Sequence, residues 1–111
     1  MTSAAVPLEK TIVNGIIKGL KALGVGFIVK THGSLFQAAG LPDLILIAPR
    51  FGRFVGLEVK RPVLGVTSEL QKMIIRKINR AGGYACVVYS LADAEAALRK
   101  ADAGEPAPPL D

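Results

Sequence analysis

The chain has little with which to build covalent or metal staples. Of its 111 residues one is cysteine, Cys86, and one is histidine, His32. A lone cysteine excludes an intramolecular disulfide and a multi-cysteine zinc site, and one histidine cannot build a metal site of its own. Tryptophan is absent and aromatics make up 5% of the residues, which leaves little for base stacking. No apolar run is long enough to cross a bilayer. The most apolar, residues 41–48, contains Pro42 and Asp43. Residues 1–5 carry neither the basic nor the long apolar region of a signal peptide. A cytosolic protein with no membrane partner is therefore expected. Acidic residues are in the minority, nine against fourteen Lys and Arg, for a net charge of +5.

What is present points to one folded unit. Half of the residues are hydrophobic, which excludes intrinsic disorder for most of the chain. The length suits a single domain with its own core. Residues 1–103 are read as that domain and 104–111, with three prolines, as a flexible tail. A basic domain of this size binds polyanions readily, because each neutralised phosphate releases counterions. The same charge also serves solubility.

Periodicity gives seven elements. Leu8, Ile12, Val13, Ile16, Ile17, Leu20 and Leu23 recur at helical spacing, with Gly24 as the stop. Residues 25–31 read as a strand, and 32–42 as a loop. Residues 44–48 form a continuous apolar run of the kind covered on both faces. Residues 53–60 form the next strand, paired as a hairpin through Pro49-Arg50-Phe51-Gly52. Thr67 or Ser68 caps a helix to about Arg80, and Ser68 with Gln71 has capping-box spacing. Leu70, Met73, Ile74 and Ile78 form its expected apolar stripe. Residues 84–89 read as a strand and 90–101 as a last helix. The order α-β-β-β-α-β-α implies a mixed central sheet flanked by helices.

The chemistry concentrates at one sheet end. Side chains two apart on a strand share a face, so Glu58 and Lys60 point the same way. The hairpin brings Asp43 to them. Two carboxylates and an amine suit phosphodiester hydrolysis. Hard oxygen ligands hold Mg²⁺ or Mn²⁺, the metal activates water, and an ammonium stabilises developing negative charge. E-x-K alone also describes an ordinary half-exposed strand. Asp43 alone reads as a strand-start turn residue. No P-loop and no Ser-His-Asp arrangement is present.

With these residues in this order, the chain resembles the PD-(D/E)xK nuclease superfamily, and more closely its VRR-NUC family of virus-type replication-repair nucleases. The resemblance is carried by Glu9, Gly40-Leu41-Pro42-Asp43, Gly56-Leu57-Glu58-Val59-Lys60-Arg61-Pro62, Gln71 and Gly82-Gly83. It implies a restriction-endonuclease-like core and a metal-dependent DNA endonuclease. Asp43 and Glu58 would be metal carboxylates, with the Val59 carbonyl as another ligand and Lys60 as the catalytic lysine. Glu9 would approach from the first helix and add to metal binding. Gln71 would orient Lys60, the water or DNA. Taken by residue chemistry alone, Glu9 is an acid favoured by the helix dipole and Gln71 a capping residue. One residue serves one geometry at a time, so the two roles of Gln71 are expected to compete.

Standalone members of the family, found mainly in phages and bacteria, resemble Holliday junction resolvases. The resemblance thus implies branched or structured DNA as substrate and a homodimer in a bacterial or phage-infected cytoplasm. Lys30, Ser34, Arg53, Arg61, Lys72 and Arg76 are candidates for phosphate contacts. His32 is read as a polar loop residue and Cys86 as buried and inert. A non-catalytic DNA-binding or assembly module on the same fold is the alternative, and a basic protein-binding domain a third.

Overall fold

The computed structural model describes residues 6–31 and 39–110. Its elements follow the expected order: α1 (Glu9–Ala22), β1 (Ile28–Lys30), β2 (Leu44–Ile47), β3 (Phe54–Val59), α2 (Glu69–Arg80), β4 (Tyr84–Val88) and α3 (Leu91–Asp102). The four strands make one sheet in the order β1-β2-β3-β4. β1–β2 and β2–β3 are antiparallel, and β3–β4 is parallel because the α2 crossover joins them. This is the mixed α/β arrangement expected of a restriction-endonuclease-like core. No helix among the described residues is long and apolar enough to cross a membrane.

Strand alternation sorts the side chains into two layers. Leu44, Leu46, Ala48, Val55, Leu57, Val59, Tyr84, Cys86 and Val88 share a cluster with α1 and α3. The opposite face carries Ile45, Gly56, Glu58 and Ala85, and α2 covers it. The α2 stripe differs from the expected one at two of its four places. Ile75 is its buried residue, while Leu70 and Met73 are each 42% exposed. The packed positions are Gln71, Ile74, Ile75 and Ile78, spaced i, i+3, i+4, i+7. A polar residue therefore occupies the first place of the core-facing stripe.

The outer edge of β4 is occupied by side chains at two places. Asn79 donates to the Ala85 carbonyl at 3.0 Å and accepts from its N–H at 2.7 Å. Asp93, in the first turn of α3, accepts the Tyr89 N–H at 2.9 Å.

Two of the expected features have partners within the fold. Arg53, a candidate for phosphate, is engaged by the backbone. Its guanidinium donates to the carbonyls of Gly82 (3.1 Å), Gly83 (3.2 Å), Ala101 (3.4 Å) and Glu105 (2.6 Å). It also lies 5.4 Å from the centre of the Tyr84 ring. The planar fork fits where the C-terminal end of α2, the end of α3 and the chain beyond converge with unpaired carbonyls. Second, the chain after α3 makes contacts with the body of the fold at two residues. Glu105 bonds back to the Lys100 carbonyl at 3.0 Å, and Ala107 packs against the core. Residue 111 lies outside the described residues.

Arg53→Ala leaves four carbonyls without their donor. We expect a loss of about 2 kcal/mol, read as a lower urea midpoint, with faster proteolysis after residue 103. An unchanged midpoint would show that water replaces the guanidinium at no cost.

Candidate active site

The site is built where β2 enters the sheet. Pro42 is buried, and a Cβ on Gly56 would come within 2.9 Å of its Cγ. The bare glycine in β3 is what lets the proline ring lie down on the strand. Extending the register from Leu44↔Leu57 by two residues sets Pro42 opposite Val59. Proline has no N–H, so the Val59 carbonyl receives no ladder bond from that position. The other half of the missing pair is rerouted. The buried Thr31 hydroxyl donates to the Pro42 carbonyl at 2.8 Å. The Val59 N–H donates instead to Asp43 Oδ2 at 2.8 Å. Asp43 is thereby fixed by the backbone of the strand that carries Glu58.

Glu58 is 1% exposed, a carboxylate inside the sheet-α2 interface. Its Oε2 takes the Lys60 ammonium at 2.8 Å and the Gln71 side-chain amide at 2.7 Å. Its Oε1 is buried with no hydrogen-bond partner. Burial drives the Glu58 pKa up to about 7; Lys60 opposes the shift and the Asp43 charge adds to it. For Lys60, burial acts downward, but its bond and charge interaction with Glu58, then Glu9 and Asp43, hold its pKa above the ordinary value.

Gln71 does both things that were expected to compete. Its Oε1 accepts the Ser68 N–H at 2.9 Å while its own N–H donates to Ser68 Oγ at 3.1 Å, completing the capping box. Its Nε2 is left to reach Glu58. An amide carries an acceptor at one end and donors at the other, so the two bonds use different atoms. The helix start and the carboxylate are one hydrogen-bonded unit.

The remaining site candidates divide. Lys30 and Glu9 line a cleft with Asp43. Glu9 is exposed there, and among the described residues no three His, Cys, Asp or Glu side chains form a metal-binding group. Glu9 comes to the cleft from the first turn of α1, and its charge acts on Lys60 together with those of Glu58 and Asp43. Arg61, expected at phosphate, donates to the carbonyls of Pro7 (2.9 Å) and Val6 (3.0 Å). It ties the residue after Lys60 to the start of α1, where the chain entering the helix has carbonyls to offer. Lys72 pairs with Glu69 at 3.2 Å. Arg76 lines a groove with Asn79, Arg80 and the C-terminal segment, not the cleft, because its turn of α2 faces the β4 edge. Ser34 and His32 lie outside the described residues. Gly56 and Thr31 were missed. A glycine inside a strand does signal close approach, whereas nothing local marks Thr31.

The unpaired Glu58 Oε1 and the adjacent Asp43 carboxylate make an all-oxygen set. Such a set fits a hard divalent cation better than a soft one. The buried, unpaired oxygen is the observation that favours a fit, since an uncompensated buried acceptor is otherwise costly.

Two outcomes follow for the metal-free protein. Folded Glu58 keeps its proton to about pH 7, while an unfolded glutamate releases it near its ordinary value. Between those limits the folded state binds more protons, so this stabilisation is complete at the acid end and lost as pH rises. In EDTA, unfolding free energy falls by on the order of 2 kcal/mol between about pH 5 and pH 8, and Glu58→Gln flattens that slope. An equal slope in the variant would assign it to other groups. Gly56→Ala forces Pro42 off the strand and costs about 1–3 kcal/mol, measured by urea unfolding; a neutral effect would mean that the ring yields freely.

No family model, curated protein or solved structure matches this chain. The functional reading rests on its own residues.

Proposed function

We propose that the protein is a metal-dependent DNA endonuclease of the PD-(D/E)xK type, similar to standalone VRR-NUC nucleases. The observation that carries this reading is the buried Glu58 carboxylate, held through Oε2 by Lys60 and Gln71, with Oε1 left unpaired beside Asp43. A structural ion pair has no use for an orphaned acceptor next to a second carboxylate.

Asp43, Glu58 and the Val59 carbonyl would hold Mg²⁺ or Mn²⁺. When bound, the ion supplies an activated water and charge stabilisation at the phosphate. The protein's own groups do the rest. Val59 N–H fixes one oxygen of Asp43, leaving the other to face the site. Gln71 fixes Glu58 and ties it to the first turn of α2. Lys60, charged at neutral pH, orients the attacking water or balances the charge that builds on the phosphate oxygens. Phosphate recognition dominates binding in a basic, aromatic-poor chain. Branched or structured DNA as substrate, a homodimer and a bacterial or phage-infected cytoplasm belong to the same proposal, through the resemblance.

The test is cleavage of labelled single-stranded, duplex, flap and four-way DNA with Mg²⁺, Mn²⁺ or EDTA, beside Lys60→Ala. We expect metal-dependent cutting that falls at least 10²-fold in the variant. Binding without cutting by wild type would replace this reading with the DNA-binding module. Neither binding nor cutting would leave the protein-binding domain.

A further inference from the structure

The cleft beside Asp43 has a composition that the hydrolytic group does not explain. It holds about 200 Å³ and is lined by Glu9, Lys10 and Val13 of α1, Lys30 at the end of β1, and Asp43. It lies on the α1 side of the sheet end, since Lys30 pairs with Leu44, whose side chain belongs to the α1–α3 layer. Glu58 and Gln71 lie on the α2 side. Asp43 stands between the two.

Lys10 and Lys30 come from different elements and converge on this cleft. Among the described residues, neither takes part in an ion pair, although Glu9 and Asp43 line the same cleft. Two uncommitted ammonium groups here make an anion site flanking an acidic one. Between them the wall is apolar: Val13, 7% exposed, and the methylene stems of the lysines. An anion alone has no use for an apolar wall. A phosphate attached to a sugar uses both.

We infer that Lys10 and Lys30 bind the phosphodiester next to the one that is cut, with its sugar against Val13. The strand then runs from the cleft past Asp43 to Glu58 and Lys60. What lies beyond Asp43 rests on the nuclease reading; the binding of a nucleic-acid backbone in the cleft does not. The volume admits the backbone of one strand and no base pair, so the cleft grips sugar–phosphate and not bases.

The test is fluorescence anisotropy of a labelled single-stranded oligonucleotide in EDTA over a salt series, where no cutting occurs. Lys10→Ala and Lys30→Ala are compared with Lys18→Ala and Lys21→Ala, exposed positions about 12 Å and 16 Å farther along α1. Both cleft side chains are exposed, and matched urea midpoints establish that the variants fold. We expect each cleft variant to weaken binding about 3- to 10-fold and to reduce the salt slope by about one, with the control variants near wild type. A wild type that binds through these lysines but cuts nothing with either metal supports the subsite and overturns the nuclease reading. Cleft variants that bind like the controls, or a wild type that binds no oligonucleotide, overturn the subsite. If wild type cuts, Lys30→Ala should raise KM with little change in kcat; an unchanged KM would also count against the subsite.

Discussion

A carboxylate inside a protein must be neutralised, paired or coordinated, and the architecture around Glu58 is organised by that demand. One of its oxygens receives two donors, from Lys60 and Gln71; the other receives none. Lys60 arrives through strand periodicity, two residues along the same face. Gln71 arrives because the core-facing stripe of α2 begins with it. Asp43 arrives because the Pro42 carbonyl is taken by Thr31 and the Val59 N–H turns to the aspartate carboxylate. These requirements involve three elements, and each is met by a residue whose local role is ordinary: a strand neighbour, a helix cap and a strand-entry aspartate.

That ordinariness explains which parts of the structure were legible in the sequence. The element order followed from periodicity and turn residues, and the convergence of Asp43 with Glu58 and Lys60 followed from a hairpin and a two-residue repeat. These are local rules. Gln71 was assigned two candidate roles, and only the structure shows them to be compatible, because compatibility depends on where each end of one amide points. The α2 stripe changed at two places for a similar reason: Ile74 and Ile78 fit either stripe, and the choice of Gln71 and Ile75 over Leu70 and Met73 is made by the sheet beneath. Lys10 passed unremarked beside Glu9, since convergence with Lys30 across a cleft leaves no trace in spacing.

Arginine was the residue type read least well. Arg53 and Arg61 were grouped with phosphate contacts because they are basic and near the site in sequence. Both are bound to backbone carbonyls instead, Arg53 at the junction of α2, β4 and the C-terminal segment, Arg61 at the entry to α1. A guanidinium has more donors than any one phosphate uses, and helix ends and turns offer acceptors that the ladder leaves over. The positive charge of the chain therefore overstates what is free for a polyanion.

The part-occupied edge of β4 bears on strand addition. An edge strand ordinarily offers its N–H and C=O groups to any other extended chain. Here Asn79 occupies both groups of Ala85, and Asp93 occupies the N–H of Tyr89. At the other edge β1 is three residues long and ends on Lys30. The groups that Asn79 and Asp93 hold are denied to an added strand. Strand addition along β4 must therefore first strip away the asparagine that holds Ala85.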